Sequence, residues 1–82
     1  MGRTFAVIRS RDVARLFAFF GLEVDAARVE AHRAAIQSRF AVEVEHIVRL
    51  CSNLPERERF KLFREALRLS YESAILRAGH AA

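Results

Sequence analysis

Four side chains in this sequence of 82 residues are of the kinds that hold transition metals or act as nucleophiles: His32, His46, His80 and Cys51. Their spacing works against both chemistries. On one helix His32 and His46 would stand about 21 Å apart, whereas zinc ligands lie ~2 Å from their ion. Neither HxxxH nor CxxC occurs. Cys51 has His46 as its only sequence-local base, five positions back and on a different helical face, and a cysteine in that setting reads as a small buried hydrophobe. As the one cysteine of the chain it forms no internal disulfide. Paired carboxylates stand at Glu43 with Glu45 and at Glu56 with Glu58. Residues two apart on a helix point about 200° away from each other, so neither pair converges on one atom. The three glycines are scattered, which excludes a phosphate-binding loop. The expectation is a protein that is not an enzyme and carries no cofactor or metal.

One polar pattern is organised. Arg57, Lys61, Arg64 and Arg68 recur at i, i+4, i+7 and i+11, which places them within about 60° of one another on a helix. Glu65 and Glu72 border them and offset part of the charge. The strip reads first as a solvated face, then as a docking surface for an acidic protein. Nucleic acid is the weaker partner. Net charge is only +4, there is no Trp, the one Tyr falls on the apolar side, and no helix-turn-helix spacing exists. No apolar run approaches the about 20 residues of a membrane span, the stretch from Leu16 to Leu22 being the most apolar. The cytoplasm is the default location.

The elements that carry these residues are helical. Apolar residues make up 52% of the chain, too many for disorder, and three Gly with one Pro argue against a turn-rich β-sandwich. A short run, Phe5-Ala6-Val7-Ile8, forms an N-terminal arm over residues 1–9, since a single strand has nothing to pair with. Helix 1, over 10–20, starts at the capping residue Ser10. It buries Val13, Leu16, Phe17 and Phe20, and stops at Gly21 in a left-handed turn. Helix 2, over 25–51, starts at Asp25 with Val24 and Val29 at hydrophobic-staple positions. Its stripe is Val29, Ile36, Phe40, Ile47 and Cys51, with Val44 and Leu50 beside it. At ~38 Å it is long for so small a chain, so it either frays near Ser38 or packs on another subunit. Ser52-Asn53-Leu54-Pro55 is the clearest break, with Asn53 as cap and Pro55 in the first turn. Helix 3, over 54–78, ends at Gly79. Phe60, Phe63, Leu67, Tyr71 and Ala74 share one side, and Leu62, Ala66, Leu69, Ser73 and Leu76 the adjoining one. That apolar arc of about 200° exceeds the ≳100° one packing surface requires, so helix 3 needs two neighbours, and a homo-oligomer is expected. The fold class is all-α. It is a single domain over 1–82, with a long antiparallel hairpin of helices 2 and 3 and the short helix 1 across it.

Three blocks resemble a known family. Leu16-Phe17-x-Phe19-Phe20-Gly21-x-x-x-Asp25 is similar to the opening of the nitrogenase-stabilising/protective (NifW) proteins. Val29 followed by Arg33-x-x-Ile36-x-x-Arg39-Phe40 resembles that family's second motif, and Arg64-Glu65-x-Leu67-x-x-x-Tyr71 its third. The blocks keep family order over most of the chain. Val24-Asp25-Ala26 replaces an aromatic-Asp-Pro turn, and His32 stands in place of Asn. The resemblance implies a small non-catalytic accessory protein that binds the molybdenum-iron protein of nitrogenase and stabilises or protects it against oxygen. The contact residues expected are Arg33 and Arg39 on helix 2 with Arg57, Lys61, Arg64 and Arg68 on helix 3. The alternatives are a small basic nucleic-acid-binding regulator and a self-assembling helical interaction module.

Overall fold

The computed structural model describes residues 12–81. Among them the chain forms four helices and no strand: α1 (Val13–Phe19), α2 (Ala26–Ala31), α3 (Arg33–Leu50) and α4 (Glu56–Ala81). The fold is therefore all-α, as the apolar periodicity requires, but the count of three helices is one short. The expected N-terminal arm and Ser10 lie outside the described residues.

The first helix begins later than 10–20 allows. Asp12 has an extended backbone and accepts from the Arg15 amide at 3.2 Å, so Asp12 caps α1 and Val13 opens it. A carboxylate at the cap satisfies one orphan amide of the first turn. Gly21, at φ +66°, stops the helix in the left-handed region, where a side chain would be strained. The Leu22 amide then closes back onto the Phe17 carbonyl at 3.0 Å. Four residues on, Asp25 caps α2 by accepting from the Ala27 and Arg28 amides at 2.9 and 3.3 Å.

The single helix expected over 25–51 is interrupted at His32. There the backbone turns to φ −117°, ψ 21°, away from the helical values near −63° and −42°. The His32 amide is shared between the Arg28 and Val29 carbonyls at 3.1 and 3.3 Å, a bifurcated bond of the kind found at helix ends. The break precedes Ser38, the point at which the helix was expected to fray. Between α3 and α4 the chain turns at Cys51 to Pro55. Pro55 takes the cap position itself, its carbonyl accepting from Glu58 and Arg59 at 3.0 and 3.1 Å, so the cap is two residues beyond Asn53. At the far end α4 runs through Gly79 to Ala81. One glycine in a helix costs only about 1 kcal/mol, too little to stop a 26-residue helix by itself.

Helices α3 and α4 lie antiparallel, and α1 crosses one side of that hairpin. Leu16, Ile36, Phe40 and Leu67 are fully buried between them. Aromatic edges hold the corner: Phe17 meets Tyr71 at 5.6 Å between ring centres, and Phe20 meets Phe60 at 5.0 Å and Phe40 at 6.5 Å. Seven residues are too few for a helix stable in isolation, so α1 exists by virtue of these contacts. Ser70, the one buried polar residue among those described, gives its hydroxyl proton to the Ala66 carbonyl at 2.8 Å.

The broad apolar arc of α4 is covered on one side only. α1 and α3 bury Phe63, Ala66, Leu67 and Ala74 and half-bury Phe60 and Tyr71, whereas Leu62, Leu69 and Leu76 face outward.

Candidate binding surface

The basic strip of α4 forms as the spacing demands, but its members are differently employed. Arg64 is half-buried, and its Nε donates to the Phe20 carbonyl at 3.0 Å, a contact bridging 44 positions of sequence. Phe20 is the C-cap of α1. The guanidinium thus serves a backbone oxygen that the helix leaves without an intrahelical partner, and its charge sits at the negative end of α1. This is a fold-holding contact that the sequence pattern alone did not separate from the rest of the strip.

Arg68 is engaged as well. It is held bidentately by Glu65 and reaches Glu72 at 2.6 Å. The hydrogen bond and the charge of Arg68 hold the Glu65 carboxyl below its ordinary value of 4.5, with a smaller contribution from Arg64. The two carboxylates in turn push the Arg68 guanidinium further up. Lys61 stands 3.5 Å from Glu58. Arg57, on the first turn of α4 and exposed, is the strip's cation without an ion pair among the described residues.

The two expected contact residues of α3 do not join this strip. Arg33 lies 4.0 Å from Glu30 and Arg39 lies 3.4 Å from Glu43. Arg39 borders a narrow groove with Ala35, Ser70, Ser73, Ala74 and Arg77. Ser73 follows Arg64 by nine residues, half a circle around α4 at 100° per residue. Arg39 therefore belongs with Arg77 on the side of the hairpin away from α1. The six cations form separate patches rather than one surface.

One local pair escaped the sequence reading. Glu43-x-x-His46 is a spacing that brings both side chains to one helix face, and Nδ1 of His46 lies 3.5 Å from Oε1 of Glu43. Among the described residues no group of three or more His, Cys, Asp or Glu side chains gathers as a metal site would require. Cys51 is a free, half-buried thiol at the end of α3. No helix among the described residues is long and apolar enough to cross a membrane.

An apolar hollow of about 430 Å³ lies between α1 and α2, lined chiefly by Ala14, Phe17, Ala18, Leu22, Val24 and Val29. Two carboxylate residues, Glu23 and Glu30, also line it. No family model matches this chain, and neither a curated protein nor a solved structure matches it.

Proposed function

We propose that this chain is a non-catalytic nitrogen-fixation accessory protein that binds the molybdenum-iron protein of nitrogenase and stabilises or protects it against oxygen. What supports the reading is the meeting of the three sequence blocks that carry the family resemblance. Phe20 of the first contacts Phe40 of the second, while Arg64 and Tyr71 of the third reach the Phe20 carbonyl and the Phe17 ring. The residues that carry the resemblance therefore gather at one corner of this molecule. Action by docking agrees with the surface chemistry, in which arginines are interleaved with carboxylates.

Neutralisation along α4 favours a protein client over nucleic acid. With Lys61 and Arg68 held by glutamates, part of the strip's charge is offset and less of it is left to displace counterions from a phosphate backbone. The direct test is size-exclusion chromatography with light scattering, with and without molybdenum-iron protein, before and after brief air exposure. Co-elution is the expected result, and absence of co-elution under both conditions refutes the proposal. Charge reversal should be made at Arg57 and Lys61, which touch nothing in the core. Reversal at Arg64 would disturb the fold as well as the surface.

A further inference from the structure

We infer that the apolar hollow between α1 and α2 is the docking site of this chain's own N-terminal run, Phe5-Ala6-Val7-Ile8, which folds back along α1 and braces it. This contact lies apart from the basic strip of α4 and does not rest on the client proposed above. At about 430 Å³ the hollow has the size of cavities that take an apolar ligand. Of the residues around it, Phe17 and Val29 are buried, and Leu22 and Val24 are half-buried. Ala14 and Ala18, four residues apart and so on one face of α1, are exposed there. Side chains this small leave room for a neighbouring segment against the helix.

Charge, length and point of attachment select this occupant. Glu23 at the hollow is exposed, and Glu30 is 71% exposed with Arg33 at 4.0 Å. An apolar site edged by carboxylates is complementary to an apolar segment flanked by cations. The eleven residues before Asp12, which lie outside those described, contain such a segment. Phe5 to Ile8 are apolar without interruption, with Arg3 on one side and Arg9 and Arg11 on the other. The run is also attached beside its site, because Asp12 caps α1 and that helix borders the hollow. The seven residues of α1 are about 10 Å long. Ile8 and Phe5 precede Asp12 by four and seven residues, a reach of up to about 13 and 23 Å, so one reversal of direction brings the run over the whole hollow. A short tether gives an effective concentration in the millimolar range, so an intrinsic affinity of only about 0.1 mM keeps the segment docked on the order of ten times as often as free. The same segment of a second copy, at micromolar concentration, does not compete with it.

The test is NMR of the full chain with its isoleucine and alanine methyl groups isotope-labelled. Ile8 is one of four isoleucines, and its methyl groups should show through-space contacts with those of Ala14 and Ala18. Ala18→Gln puts bulk and a polar group into the hollow at an exposed position. Its circular dichroism should be unchanged while the Ile8 contacts vanish, and trypsin should cut after Arg9 on the order of tenfold faster than in the parent. Glu23→Lys combined with Glu30→Lys should speed the same cut, because the cations of the segment then meet cations. Absence of the Ile8 contacts in the parent overturns the proposal. So does cleavage after Arg9 at one rate in the parent and both variants. In a mixture of labelled and unlabelled chains, contacts seen only between different chains also overturn it, since the segment docked there would be a second copy's.

Discussion

Replacing Arg64 by Met tests whether this residue belongs to the fold or to the surface. Methionine keeps much of the apolar stem and removes the guanidinium that donates to the Phe20 carbonyl at 3.0 Å. A hydrogen bond from a charged donor contributes about 1.5–3 kcal/mol, and the carbonyl left behind is half-buried at the end of α1, where water only partly replaces the donor. The favourable position of a cation at a helix C-terminus is contained in that figure rather than added to it. A loss of about 2 kcal/mol is therefore expected, against the ~4–12 kcal/mol that a chain of this length holds in total. In urea, with a slope of about 1 kcal/mol per molar for so small a domain, the midpoint should fall by about 2 M. Arg57→Met, made on the same exposed face without a tertiary partner, should stay within about 0.5 kcal/mol of the parent. If the two variants unfold at the same urea concentration, Arg64 does not hold the corner in solution, and it returns to the pool of surface cations.

Three further outcomes follow from the packing and the charges. Leu67 is 0% exposed at the contact of α1, α3 and α4, so Leu67→Ala should cost about 3 kcal/mol and lower the calorimetric melting temperature by more than about 10 °C; a shift of a degree or two would contradict the burial. Gly21→Ala meets no atom within 4 Å of the added Cβ, so its cost should be conformational alone, about 1–2 kcal/mol, with Gly21→Asn recovering part of it. For Glu65, whose folded value is depressed by Arg68, the pair's contribution is present above the ordinary carboxylate range and is lost as pH falls through that lowered value. Carboxyl carbon NMR should find the Glu65 midpoint below 4.5 and Arg68→Gln should move it up, whereas a midpoint at or above 4.5 in the parent would refute the pairing.

The sequence makes punctuation legible wherever a residue acts through its own backbone. Asp25 caps α2 and Gly21 takes positive φ, because each requirement is local and few residue types meet it. The core stripes were legible for a similar reason, since Val29, Ile36, Phe40, Phe63 and Leu67 keep one helical face. The break at His32 was not, because the segment around it is rich in good helix formers and has no Gly or Pro; the bend is set by where α2 and α3 must pack. Arg64 was misplaced for the same kind of reason. At i, i+4, i+7 and i+11 the four cations look equivalent, and only the position of the Phe20 carbonyl distinguishes one of them. Even the leucine repeat of α4, visible as half of a broad arc, gave no sign of which half α1 would cover.

The tie between Phe20 and Arg64 also orders events in time. Residues of α3 and α4 that face each other near the turn are few positions apart, so the hairpin can close at small entropic cost, while α1 must wait for a contact 44 residues away. With only seven residues it has no independent nucleus. In the native state the same logic runs in reverse. Its amides should exchange with deuterium through a local opening well below the global unfolding energy, while α3 and α4 open together. At the corner where the three resemblance-bearing blocks meet, α1 thus leaves before the α3–α4 hairpin opens and returns after it has closed.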